Sequence, residues 1–329
     1  MYGNYGIMEN FFCAEESRQL QEDVIGCALN RRYYILVELP PPWTPHPLDS
    51  KSLSHKFQAL KAQINLEIEL SIRLVFIYNS GYYEAGYNRL IIYFQRQESD
   101  LFYTKKEFLL SDIENAIPIV EKCIRGEPIT SEYPNIPARD ILICTHGSHD
   151  KCCAKYGNPF YHQALKTLEG LSIPNVRIWQ SSHFGGHRFA PTMIDLPEAR
   201  YYGRLDQKSF TNILTKTGDI QVFKNVYRGW GVLPWQVQIL ERELILKYDW
   251  EWFSYQVKGQ VIQKNEDETS SIVEISLEIS NGIVETYRCN IIEDESKNIF
   301  SRGECSNREI EKVLQFKINE LVGVKSRIF

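Results

Sequence analysis

Two short loops carry most of the chemistry-bearing side chains of this chain, and each follows an apolar run. The first is Cys144-Thr-His-Gly-Ser-His-Asp-Lys-Cys152-Cys153, and the second is His183-Phe-Gly-Gly-His187-Arg-Phe-Ala-Pro. They hold three of the eight cysteines and four of the seven histidines. Asp140-Ile-Leu-Ile-Cys144 and Val176-Arg-Ile-Trp-Gln-Ser181 read as strands that stop where the loops begin. If those strands are neighbours in one parallel sheet, both loops leave the same edge. Cys144, Cys153, His183 and His187 then converge, and Gly185-Gly186 lets the backbone turn tightly enough to bring His187 round.

Thiolates and imidazoles gathered this way suit a metal of intermediate softness. The spacings are C-x8-C and H-x3-H. Structural zinc favours Cys2His2 donors, but usually with two to four residues between its cysteines. A [2Fe–2S] cluster is larger and better matched to ligands from two separated loops. A thiol–disulfide centre at Cys152-Cys153 is disfavoured, because a vicinal disulfide is strained and no C-x-x-C occurs. Cys152 remains the alternative to Cys153 as ligand, since a slip of one residue exchanges them. Isolated residues such as Cys27, Cys123, His46, His55 and His162 read as ordinary core or surface groups.

The flanking chain predicts an α/β fold. A short helix falls within 10–30, a strand at 32–39 stopped by Pro40-Pro41-Pro42, and a helix at 51–66. Strands follow at 70–78, 88–95 and 100–107, then a helix at 111–125 with Ser111 as N-cap. After a Pro-rich linker over 127–138 come a strand at 140–144, a helix at 159–169, strands at 176–181, 188–195 and 200–205, and a helix at 207–216. Both stretches therefore read strand, helix, strand, strand, strand, helix, offset by about a hundred residues. That tandem βαβββα order matches two thioredoxin-like halves, 10–126 without metal ligands and 136–222 with them. The remainder, 223–329, reads as a smaller α+β region. A helix enters near Pro234, an antiparallel meander spans 253–262, 270–279 and 283–291 with a turn at Ser280-Asn-Gly282, and a helix closes the chain at 307–321. Cys289 and Cys305 stand apart from any histidine there and suggest no chemistry.

With 329 residues, 43% hydrophobic and 24% charged, the chain has an ordinary globular composition. A net charge of -5 argues against a nucleic-acid partner, and no apolar run approaches the ~20 residues of a membrane span. The first residues lack a basic and apolar leader pattern, and the Gly/Tyr-rich stretch before Met8 reads as unstructured. A reducing cytoplasmic setting, with cysteines free or metal-bound, is the expectation.

The two loops also carry a resemblance. Cys144-Thr-His-Gly-x-x-Asp-x-Cys-Cys153-Ala-x-x-Gly157, Ser182-His-x-Gly-Gly-His-Arg-Phe-Ala-Pro191 and Tyr202-Gly-Arg204 resemble the sucrase/ferredoxin-like family. Phe12-Cys13, Tyr34-Ile-Leu-Val-Glu-Leu-Pro, Pro42-Trp43 and, faintly, Tyr227-Arg-Gly229 and Cys305 add to it. The resemblance implies a thioredoxin-like [2Fe–2S] protein with Cys144, Cys153, His183 and His187 as ligands. Thr145, His146, Gly185, Gly186 and Arg188 would surround them, with backbone N–H groups donating to the cluster sulfurs and Arg188 pairing with Asp150 or Asp195 or serving a docking partner.

Two thiolates and two neutral imidazoles leave the oxidised cluster formally uncharged, which raises its potential. Rieske centres show the effect, at roughly -150 to +300 mV against about -400 mV for plant-type ferredoxins. The expectation is one-electron transfer or redox sensing, with proton uptake at His183 or His187 on reduction and a flavin-dependent reductase as partner. This is an electron carrier more than a stand-alone enzyme, with no catalytic residue of its own. A structural zinc module is the alternative. Sucrose cleavage, which the family's other label suggests, would require a carboxylate pair from Asp195, Glu198 and Asp206.

Overall fold

The computed structural model describes residues 11–50, 53–67, 70–97, 101–131, 133–134, 137–280, 283–307 and 309–327. The stretch before Met8 and the turn residues Asn281 and Gly282 lie outside them.

After the short helix α1 (Cys13–Gln19), the first half runs β1 (Tyr33–Glu38), α2 (His55–Leu66), β2 (Ile72–Tyr78), β3 (Asn88–Phe94), β4 (Thr104–Leu110) and α3 (Ala116–Ile124). The second runs β5 (Arg139–Cys144), α4 (Asn158–Leu171), β6 (Val176–Ser181), β7 (Met193–Leu196), β8 (Arg200–Tyr202) and α5 (Gln207–Thr215). A short α6 (Phe223–Val226) leads into β9 (Tyr227–Trp230), a strand that periodicity does not announce. The nine strands form one mixed sheet in the order β4-β3-β1-β2-β6-β5-β7-β8-β9. In each half the first two strands pair in parallel around a helix, and the third and fourth add antiparallel on the far side. The halves are therefore not separate sheets. They join antiparallel at β2 and β6 through only two register pairs, Ile77 with Ser181 and Tyr78 with Gln180.

Alternation along β1 builds two cores. Tyr33, Ile35 and Val37 pack with Phe57 and Leu60 of α2 and Val120 of α3. Tyr34 and Leu36 face the other way, into a core that continues through Trp179, Phe160 of α4 and Phe210 of α5. The same core runs on into α7 (Trp235–Tyr248) and the sheet behind it. Across this face the halves are tied by charge: Arg177 of β6 bonds both Glu107 of β4 and Asp140 of β5. Arg89 bonds Glu107, and Lys105 bonds both carboxylates, which are buried and partnered.

The C-terminal region departs most from expectation. β10 (Gln256–Lys264), β11 (Ser270–Ser280) and β12 (Ile283–Glu293) form the expected meander, followed by β13 (Ile299–Ser301) and β14 (Glu311–Val313). In place of a helix over 307–321 the chain forms β14 and then β15 (Phe316–Arg327), which pairs along β12. Phe316-Lys-Ile318-Asn319 alternates, and the open edge of β12 supplies backbone partners that outweigh the helical propensity of the Glu, Lys and Leu residues. Smaller corrections are local. Asp112, not Ser111, caps the turn before α3 by accepting from the Glu114 N–H. Residues 187–189 are a single 3-10 turn ahead of β7.

Candidate metal centre

β5 and β6 pair in parallel with Cys144 opposite Ser181, so the two loops leave the same end of neighbouring strands. The first loop returns through a π-helical turn over Cys153–Gly157 before α4. Gly157 lies under the Cys144 carbonyl so closely that a Cβ would stand 2.0 Å from its oxygen. In the second loop Gly185 and Gly186 have φ of +107° and +79°, and a Cβ on Gly186 would meet the Arg228 guanidinium at 2.4 Å.

Three of the four expected ligands form one group. The donor atoms of Cys144, Cys153 and His183 lie within 4.8 Å of one another, with His183 Nδ1 3.8 Å from the Cys144 sulfur and 3.7 Å from that of Cys153. His187 adjoins through a second group, His149–His183–His187, whose rings are close: His149 on His183 at 3.9 Å and His183 to His187 at 5.2 Å. Nδ1 of His187 faces away, 3.3 Å from the Cys13 sulfur and 3.4 Å from Asp150. Its Nε2 lies 3.9 Å from a Glu304 carboxylate oxygen.

Burial opposes a charge on Cys144, yet the Cys153 thiol, the backbone N–H groups of His146 and Phe184 and the Arg73 guanidinium hold it below the ordinary thiol value. Cys153 is pushed up by its hydrogen bond to Cys144 and by burial. Burial, with His149 and His187 nearby, keeps His183 far below the usual imidazole value and thus neutral, the form a ligand needs. His146 fixes the second loop: its Nε2 donates to the Thr44 carbonyl at 2.8 Å and its Nδ1 accepts from the His183 N–H at 3.1 Å. Burial brings its pKa down to about 4.

Other expected neighbours behave differently. Phe184, not Gly185 or Gly186, supplies the second-loop N–H beside the Cys144 sulfur. Thr145 reaches Gln180 at 3.5 Å. Arg188 pairs with Glu22 at 2.8 Å, away from both Asp150 and Asp195. Among the carboxylates, Asp195 is held by Arg139, Glu198 by Arg200 and Lys216, and Asp206 caps α5. All three have structural partners.

Cys152 points elsewhere. Its sulfur lies 3.5 Å from Cys13 and 3.3 Å from Cys305, and Cys13 and Cys305 are 3.5 Å apart, with Asp150 completing the group. Cys305 is thus no isolated residue. Sequence separations of 139 and 292 positions hid this group, and Phe12-Cys13 and, faintly, Cys305 entered the sequence reading only through the family resemblance.

A matched family model covers residues 24–229 and is described as sucrase/ferredoxin-like. The chain belongs to the sucrase/ferredoxin-like family. The match takes in both cysteine- and histidine-bearing loops and all nine sheet strands up to Gly229 within β9, and leaves Cys13 and Cys305 outside. Altered inheritance of mitochondria protein 32 of Meyerozyma guilliermondii is 31% identical over 121 residues, which cover 34% of this chain and 42% of that protein. The chain therefore spans less than half of that relative's length. No solved structure matches the chain. Among the described residues no helix is long and apolar enough to cross a membrane. Within the family-matched segment, Cys144, Cys153 and His183 form a donor group able to hold a metal ion, and His187 belongs to the adjoining group with His149 and His183.

Proposed function

We propose that this chain carries single electrons, or senses redox state, through a [2Fe–2S] cluster held by Cys144, Cys153, His183 and His187. The supporting observation is the convergence of Cys144, Cys153 and His183 at one end of a parallel strand pair, with the His187 ring 5.2 Å from that of His183. The shared strand order of the two halves supports reading each as thioredoxin-like. When bound, such a cluster supplies reversible one-electron chemistry. The protein's part is to set the charge around it. Arg73 and the His146 and Phe184 N–H groups offset negative charge at the Cys144 sulfur, and Nδ1 of His146 holds the backbone of His183.

Exposed His149 covers His183, and beside them opens a cleft of about 230 Å³ lined by His46, Lys61, Arg73 and Pro45. A redox partner, first a flavin-dependent reductase, would approach there. A single structural zinc is the second reading, and one observation favours it. The 3.7–3.8 Å sulfur–nitrogen spacings lie near the about 3.6 Å that tetrahedral zinc bond lengths impose.

Iron and zinc analysis, with visible and EPR spectra of anaerobically purified protein, separates the two. Two irons per chain and a histidine-type [2Fe–2S] signal are expected; a colourless protein whose first group holds zinc overturns electron transfer. The negative charge added on reduction favours protonation of the outer ring nitrogens of His183 and His187, so proton uptake would accompany reduction. The midpoint potential should then fall as pH rises, by up to about 59 mV per unit for one proton and one electron. A potential flat from about pH 6 to 10 removes the proton coupling.

A further inference from the structure

Cys13, Cys152 and Cys305 come from three distant places: the start of α1, the first metal loop, and the irregular segment between β13 and β14. All are free thiols, Cys13 and Cys152 fully buried and Cys305 partly. Their sulfurs form a nearly equilateral triangle with sides of 3.3, 3.5 and 3.5 Å, so no pair is singled out for a disulfide. The donor atoms of the three cysteines and Asp150 all lie within 4.8 Å of one another.

Two of the three sulfurs, and both oxygens of Asp150, accept backbone N–H groups. The Cys13 N–H donates to the Cys305 sulfur at 3.4 Å and the Ala14 N–H to that of Cys152 at 3.5 Å. Asp150 is aimed by the Cys152 N–H at 2.7 Å and the Cys305 N–H at 3.1 Å. N–H groups directed at sulfur favour thiolates over thiols. Several thiolates beside a buried carboxylate repel one another unless a cation lies between them. Tetrahedral zinc–thiolate bonds of about 2.3 Å place sulfurs about 3.8 Å apart, close to the triangle observed.

We propose a second metal site, distinct from the first, in which Cys13, Cys152, Cys305 and Asp150 bind one Zn2+ tetrahedrally. Binding releases the thiol protons as the three Zn–S bonds form, with no change of oxidation state. Four protein donors close the coordination sphere, so the role is structural. The ion fastens α1 and the C-terminal segment to the first metal loop. Two of its ligands, Cys13 and Cys305, lie outside the family-matched residues. His187 contacts both Asp150 and Cys13, so the two groups adjoin at its ring.

The test is metal analysis of the full chain, expressed with iron and zinc, passed over a chelating resin and compared with Cys305→Ser and Cys13→Ser. One zinc per chain is expected in addition to whatever the first group holds, falling at least tenfold in each variant while iron and the visible spectrum persist. If the first group itself holds zinc, two ions should fall to one, which keeps the two readings separable. Cys305→His should retain the ion. In the unaltered protein, alkylation should spare Cys13, Cys152 and Cys305 as a set until a strong chelator is added. The site is refuted by zinc that survives both serine variants, by alkylation of the three cysteines without chelator, or by a disulfide among them in the unaltered protein.

Discussion

Cys152 and Cys153 are chemically identical, yet the chain sends them to different destinations. They sit at the start of a helical segment, where successive side chains are rotated by about 100°. One sulfur therefore reaches Cys13 and Cys305 while the next lies beside Cys144 and His183. The proposed roles separate by single substitutions. Cys144→Ala and Cys153→Ala should each lower bound iron and visible absorbance at least tenfold, whereas Cys152→Ala should keep both. Iron assay and absorption spectra of the purified variants check this, and loss of the chromophore in Cys152→Ala alone would exchange the two cysteines.

The loop between β5 and α4 works because a strand end, a π-helical turn and a helix start are packed without clearance. Gly157 is the point of closest approach, against the Cys144 carbonyl. Gly157→Ala must push the turn off β5, which should destabilise the protein by about 3 kcal/mol, the upper range for overpacking, and loosen the Cys144–Cys153 pair. Urea unfolding and iron retention measure the two effects, and a variant within experimental error of the original would place the strain elsewhere. A Cβ at Gly170, with open space around it, is the matched control. β15 teaches a related lesson about elements: its state is decided by the free edge of β12.

At the scale of the whole molecule, two short register pairs join the halves of the sheet, and the buried network around Arg177 fastens them across the core face. Burial would raise the Glu107 and Asp140 carboxyls, but Arg177 dominates and holds both below the ordinary carboxylate range. Their stabilisation is therefore complete above the unfolded-state pKa of about 4 and is lost as pH falls through the lowered native values. Arg177→Met leaves two buried carboxylates short of their shared partner and should cost about 3–5 kcal/mol. It should also flatten the fall in stability on acidification. Denaturation midpoints at neutral and acid pH test both, and an unchanged acid limb would remove Arg177 as the clamp.

The sequence determined the local pieces of this protein. Alternation and apolar runs placed most strands of the large sheet and its main helices, and the two loops with their glycines showed where a metal could be held. These signals are local because they arise from backbone geometry and from residues a few positions apart. Tertiary structure decided what depends on distant partners. It joined the two halves in one sheet, added β9, and made a strand of the segment expected to be helical. It also turned Cys152 from Cys153 and brought Cys13 and Cys305 within 3.5 Å across 292 positions. No spacing rule spans that interval, since the packing of the intervening chain alone sets which side chains meet.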